Sequence, residues 1–292
     1  MSTKTPSYSP SATLGIRVEL IRQIKRRRTL VSFLLVVALP LIVVAAVTLG
    51  PSADGNGGGA RGGGGFGDGG LDLIGLATSG AWNFTLTMLL FSSGFLLLII
   101  AAMFMGDTVA SEASWSTLRY LLVAPVPRRH LLRTKAIVGL ILIAAVLITL
   151  VVASFLIGAL VFGTNPLTSP LGGALDTGES IQRIALITAY IGVTLLFPAG
   201  FAFLMSVLTD VPLGAVGVAV VTVIVFNILA ALEPLGDLRR LLPTNYGDAW
   251  LAALSPTISW NDMVLGATYS FVAFAALMAI AIIRFDRKDI VS

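Results

Sequence analysis

The sequence predicts an all-α integral membrane protein with six transmembrane helices, preceded by an amphipathic interfacial helix. Three observations carry this. Apolar residues make up 56% of the 292 and charged residues only 12%, and the mean hydropathy of +0.94 is far from the balance of a water-soluble domain. Six apolar runs, at about 29–49, 82–105, 136–162, 183–208, 212–232 and 263–283, are each long enough to cross ~30 Å of hydrocarbon. Fifteen of the 19 Lys and Arg fall in segments 1–28, 106–135 and 284–292, which share one side of the membrane if the chain crosses six times.

Cytosolic loops retain Lys and Arg, so both termini are expected in the cytosol, with the protein in the cell membrane. The net charge of +4 then expresses orientation. It is no sign of nucleic-acid binding, because the basic residues are divided among three segments and lack interleaved aromatics. Residues 1–28 read as a cytosolic tail and interfacial helix, and 29–292 as a single transmembrane domain.

The polar, proline-containing start to about Ser11 is expected to be disordered. From Leu14, the residues Leu14, Val18, Ile21 and Ile24 recur at helical spacing, with Glu19, Arg22, Gln23 and Arg26 on the other face. This pattern suits a helix lying in the inner membrane interface; the plainer reading is a basic flank anchoring the first span. Arg26, Arg27 and Arg28 stand directly before that span, but a secretory signal has a shorter apolar region and its charge near residue 1. A lipoprotein signal needs a cysteine, and the sequence has none.

Span one ends at Gly50 and Pro51, and 11 of residues 55–70 are glycine. Such a tract buries too little surface to fold and is expected to form a flexible external loop. Span two carries Asn83, Thr85, Thr87, Ser92 and Ser93, and span five carries Asn227. Polar groups inside lipid face other helices or an aqueous path, so Asn83, Thr87, Ser92 and Asn227 are candidates to line a substrate path, with helix-to-helix hydrogen bonding as the alternative. Pro198 and Gly200 interrupt span four, and a Thr209-Asp210-Val211-Pro212 turn leads to Gly214 and Gly217 in span five. These small residues predict close packing or a hinge. Beyond Leu232, two short apolar patches with Tyr246, Trp250 and Trp260 suggest short helices in the outer interface, leaving Arg239 and Arg240 to headgroups or solvent.

Catalysis finds little support. Without cysteine and with one histidine, His130, there is no thiol nucleophile and no multi-histidine metal site. His130 lies in an Arg-rich turn far from any GxSxG motif. No lysine follows a glycine, so a Walker A loop is missing and the chain is expected to be no enzyme and to bind no cofactor.

Residues 106–135 hold the densest signal. Asp107–Leu122 lacks proline and glycine and suits a helix continuing from span two, with Glu112 and Arg119 on one face and Trp115, Leu118 and Leu121 on an apolar one. Pro125 and Pro127 force an extended corner before Arg128, Arg129, Arg133 and Lys135. A cytosolic loop collects such cations in any case. Yet the order Glu112, Thr117, Leu118, Arg119, Leu121, Leu122, Pro125, Arg128, Lys135 resembles the coupling segment of ABC-2 type exporter permeases, with Ser116 where that family usually has glycine. The six-span layout, the interfacial helix, the external Pro243-Thr244-Asn245-Tyr246 and the charged ending are similar to the family along essentially the whole chain.

The resemblance implies the ABC-2 (type V exporter-like) fold and a permease half-transporter. Two copies, or this chain and a paralogue, would pair in the lipid around a path for an amphipathic small molecule or lipid. ATP and Mg would be bound by a separate ABC ATPase subunit. Glu112, Trp115, Thr117, Leu118, Arg119, Pro125, Arg128 and Arg129 would couple to it, and Glu112→Lys is expected to spare insertion while abolishing coupling. The alternatives are an ABC-2-like subunit of a maturation or signalling complex, and a secondary transporter. The latter ordinarily carries a charge near the bilayer midplane, which no span contains.

Overall fold

The computed structural model describes residues 15–49, 73–114, 128–168, 173–255 and 257–287. Six helices in it are long and apolar enough to cross a membrane, as the hydropathy runs predict. A short helix α1 (Ile16–Ile24) precedes α2 (Arg27–Leu49), the first span. After a single turn of helix, α3 (Leu73–Thr78), span two is built from α4 (Ala81–Phe91), a π-helical turn (Ser92–Leu96) and α5 (Leu97–Ser114). Span three is α6 (Arg128–Phe162). It begins eight residues before its apolar run, because basic residues stay helical as they leave the hydrocarbon.

A two-residue antiparallel pairing of β1 (Leu167–Thr168) with β2 (Ala174–Leu175) closes the connection to span four. That span is α7 (Thr177–Thr194) followed by α8 (Leu196–Leu208), broken at Leu195. Pro198 sits in the first turn of α8 and cannot donate to Thr194, which accounts for the interruption expected there. Span five is α9 (Pro212–Ala231), with Pro212 at its first position where a missing N–H does no harm. Three short 3-10 helices, Glu233–Leu241, Pro243–Tyr246 and Ala249–Leu254, lead to span six, α10 (Trp260–Arg287).

Spans two and four form the centre. They bury 56% and 61% of their apolar stretches inside the protein, against 17% for spans one, five and six. The α4 half of span two packs on α6, and the α5 half packs on α8 and α9; α10 closes the far side against α8, and α2 leans on α6. Lipid tails are as apolar as leucine, so close contact has to hold such a bundle together. Glycine provides it, at Gly200 as expected and at Gly106, but not at Gly214 or Gly217. Gly217 faces open space and a Cβ on Gly214 would meet only Val211 of its own turn, whereas a Cβ on Gly106 of α5 would lie 2.9 Å from Val216 of α9 and one on Gly200 of α8 would lie 2.8 Å from Phe274 of α10.

The end of the bundle that carries the 3-10 helices is pinned by polar contacts. Arg183, which the sequence offers only as a stray cation, is 7% exposed. It donates to the carbonyls of Ala253 at 2.7 Å and Ser255 at 3.2 Å and to Glu179 at 2.8 Å. The Tyr190 hydroxyl donates to the Tyr246 carbonyl at 2.7 Å, and Tyr246 stacks on Tyr269. Gly266 of α10 lies directly beneath this tyrosine pair, where a Cβ would come 2.6 Å from the Tyr246 Cβ. Gly266→Ala should therefore destabilise the protein by about 1–3 kcal/mol through overpacking, seen as a lower unfolding temperature in detergent; Gly217→Ala, in a helix and facing open space, should not lower it.

Candidate functional site

Where α5 ends and α6 begins, four charged side chains from three elements meet; three are out of contact with water and the fourth, Arg22 of α1, is 41% exposed. Lys135 of α6 is 1% exposed, Glu112 of α5 3% and Glu19 of α1 1%. The Lys135 ammonium donates to Glu112 at 2.6 Å and to the Thr108 carbonyl at 3.1 Å, and lies 3.5 Å from Glu19. Arg22 bridges the two carboxylates, pairing with Glu19 at 3.0 Å and also with Glu112. Gln23 donates its amide to Glu19 at 3.0 Å, and its carbonyl oxygen accepts from Arg28 at 2.9 Å. A second, shallower group adjoins this one, with Asp107 paired to Arg26 at 3.1 Å and to Arg28.

Helical spacing explains why one turn of α1 delivers the set. Glu19, Arg22, Gln23 and Arg26 follow at i, i+3, i+4 and i+7, one face of a helix. That face turns into the protein. The apolar face turns outward, leaving Val18 65% exposed and Ile21 and Ile24 45% each. The interfacial helix read from the sequence thus shows its greasy side to the surroundings, and its polar side answers a cluster inside the protein that the pattern could not reveal.

Isolated burial of any of these ions would be prohibitive; mutual pairing and hydrogen bonding offset much of the desolvation. Burial pushes the Glu19 carboxyl up, but Lys135 and Arg22 outweigh it and hold the group below its ordinary value of 4.5. Burial also works against the Arg22 charge, yet Glu112 and Glu19 raise its pKa. The arrangement is an ionic joint between three helices. It ties α1 to the last turn of α5 and the second turn of α6, the two helix ends that flank residues 115–127.

Of the coupling residues singled out from sequence, Glu112 stands inside this joint. Arg129 is exposed and its guanidinium donates to Asp286 of α10 at 2.8 Å. Trp115, Thr117, Leu118, Arg119 and Pro125 lie outside the described residues, as do the glycine tract 55–70, the second half of the helix expected over 107–122 and the side chain of Arg128. The path candidates are placed apart. Asn83 donates to Thr168 Oγ1 at 2.6 Å and also to Ser79, and the Thr87 hydroxyl donates to the Asn83 carbonyl at 2.9 Å. Ser92, fully buried, opens the π-helical turn, and among the described residues its hydroxyl has no partner. Asn227 is exposed on α9.

Two clefts complete the picture. One of about 510 Å³ lies beside the joint, lined by Arg22, Arg26, Arg27, Arg28, Asp107, Ser111 and Glu112. The other, about 490 Å³, lies among the 3-10 helices and the start of α10, lined by Arg240, Tyr246, Asp248 and Asp262 among others. Burial raises the pKa of Asp248 there. Among the described residues, no group of three or more His, Cys, Asp or Glu is placed to hold a metal ion.

A family profile, described as a protein of unknown function (DUF2705), matches residues 70–291. The chain belongs to the DUF2705 family. The stretch typical of DUF2705 includes Glu112 and Lys135, while Glu19 and Arg22 come from the segment before it. A comparison with curated proteins found no match.

Removing one partner of the joint should be severe. Lys135→Met leaves Glu19 and Glu112 facing each other and is expected to destabilise by about 3–5 kcal/mol, whereas Lys135→Met combined with Glu112→Gln should recover part of the loss; thermal unfolding of the two variants measures both. Because Glu19 is held below its ordinary pKa, its contribution is fully present above pH 4.5 and drains away as pH falls beneath that value. The unfolding temperature in detergent should therefore fall as the pH is lowered beneath 4.5, and Glu19→Gln should flatten that dependence.

Proposed function

We propose that the chain is a permease subunit of an ATP-binding cassette exporter of the ABC-2 type. The observation that supports this reading best is the joint formed by Glu19, Arg22, Glu112 and Lys135. It grips both helix ends that flank residues 115–127, where the resemblance to ABC-2 coupling segments is concentrated. A push on that segment would move α1, α5 and α6 as one piece. Through α5 it would reach α8 and α9, the helices packed on it.

In this reading ATP and Mg sit on a separate ABC ATPase subunit docked beneath residues 115–127, and this chain supplies only states of differing affinity. A second copy or a paralogue covers the apolar faces that spans one, five and six leave exposed. The substrate is an amphipathic small molecule or lipid. Ser92, whose buried hydroxyl has no partner among the described residues, opens a π-helical turn and is the path candidate best placed to respond to movement, since such turns are local departures from regular helix. The buried Glu112–Lys135 pair does not favour a proton-coupled transporter, because each member is already engaged by a further ion or carbonyl.

The test is to purify affinity-tagged protein from its native membrane in mild detergent, identify what accompanies it by mass spectrometry and assay the eluate for ATPase activity. Recovery of a Walker-motif subunit is the expected result; an ATPase-free preparation would overturn the reading. Glu112→Lys is no clean probe, since it would place a third cation against Arg22 and Lys135 and disrupt the joint itself. Arg119→Ala should leave the unfolding temperature unchanged and weaken ATPase recovery about tenfold, the loss of one interface anchor.

A further inference from the structure

We infer that the cleft beside the joint binds the phosphate of an anionic phospholipid from the leaflet in which α1 lies. Around the joint and cleft, five cations, Arg22, Arg26, Arg27, Arg28 and Lys135, face three carboxylates, Glu19, Asp107 and Glu112. Those carboxylates are committed. Glu19 and Glu112 serve Lys135 and Arg22, and Asp107 serves Arg26 and Arg28. An excess of two positive charges remains.

The excess is directed at specific groups. Arg27 is exposed, lines the cleft and has no acidic partner among the described residues. Arg28 turns two terminal nitrogens to Asp107 and Gln23, while its Nε is buried and without an acceptor among the described residues. An anion with several acceptor oxygens satisfies both at once, and a phosphate diester suits a guanidinium better than a chloride does.

The surroundings say that this anion carries acyl chains. Leu30, Val31 and Leu34 follow Arg27 at i+3, i+4 and i+7, so they share its helical face, and they are 60%, 54% and 67% exposed. Leu41, 51% exposed, extends the stripe. From Arg27 to Leu41 it runs about 21 Å at ~1.5 Å per residue, more than one ~15 Å half of the hydrocarbon core. On the other side of the cleft, α1 presents Val18, Ile21 and Ile24 outward. A headgroup held by arginines beneath an unbroken aliphatic face matches a phospholipid; a soluble phosphate would leave that face unused. Basic pockets between helices at the membrane boundary are a general means of selecting acidic headgroups.

The experiment uses the full chain in detergent micelles and native mass spectrometry. It compares retention of phosphatidylglycerol and phosphatidylcholine with identical acyl chains. Phosphatidylglycerol should be retained preferentially, and Arg27→Gln should reduce that preference about fivefold, the typical effect of one arginine near an anionic headgroup. Arg27→Gln/Arg28→Gln should reduce it further. Arg17→Gln, on α1 and outside the cleft, should change nothing. Excess inorganic phosphate should fail to displace the lipid. Equal retention of the two lipids, an Arg17→Gln loss as large as that of Arg27→Gln, or displacement by free phosphate would each overturn the inference. If Arg28→Gln lowers the unfolding temperature, the exposed Arg27→Gln variant decides alone.

Discussion

A buried lysine ammonium organises one end of this molecule. Lys135, almost fully enclosed, has no water to solvate it, so its charge requires Glu112, Glu19 and the Thr108 carbonyl. The two carboxylates are then buried as well and require Arg22 and Gln23. Each of those residues lies on α1, so the short helix is held by chemistry that starts in span three. The directionality of ion pairs matters as much as their energy. Two apolar helices can slide or rotate past each other in lipid at little loss, but a lysine satisfied by three acceptors at 2.6–3.5 Å fixes a register.

The rest of the bundle follows a different rule. Between the spans themselves, helices approach through glycine, with Gly106 against Val216 and Gly200 against Phe274, and gain contact energy that apolar lipid also offers in part. The opposite end is fixed by polar groups again, through Arg183 and Tyr190 holding the 3-10 helices. The joint thus holds the end of span two at Glu112, and the opposite clamp holds the first half of span four at Arg183 and Tyr190. The breaks in helical regularity, the π-helical turn at Ser92–Leu96 and the interruption at Leu195, fall in these same two central spans. A structure clamped at its ends concentrates bending where backbone hydrogen bonding is already irregular.

How much of this the sequence disclosed depends on the physics behind each signal. The spans were legible, since the length and hydropathy needed to cross a bilayer leave little freedom. The break at Pro198 was legible for an equally local reason. The orientation of α1 was not: amphipathic spacing reports that two faces differ, and a polar face suits water and a buried charge cluster alike. Glu19 and Gln23 therefore looked like ordinary interfacial residues, and Glu112 and Lys135, singled out as parts of the coupling pattern, gave no sign of pairing with each other. Arg183 was visible as one of the four cations outside the three basic segments, which is a usable hint of a buried partner. Asn83 and Asn227 looked equivalent as amides within apolar runs, yet one is enclosed by Ser79 and Thr168 and the other faces outward. Gly217 could not be told from Gly106, because only the neighbouring helix decides which glycine is needed.

The joint also bears on how a force would travel if the exporter reading holds. A segment tethered at one end could flex without consequence, but residues 115–127 leave α5 two residues after Glu112 has been fixed and return at α6 seven residues before Lys135 is fixed. Displacement of that segment is resisted at both ends by the same ions, so it has to be taken up by the helices that carry them. Of those, α6 is a single uninterrupted helix, whereas span two contains the π-helical turn. Stress applied at the joint is accordingly relieved in span two first, next to the buried hydroxyl of Ser92 and at the boundary between the half packed on α6 and the half packed on α8 and α9.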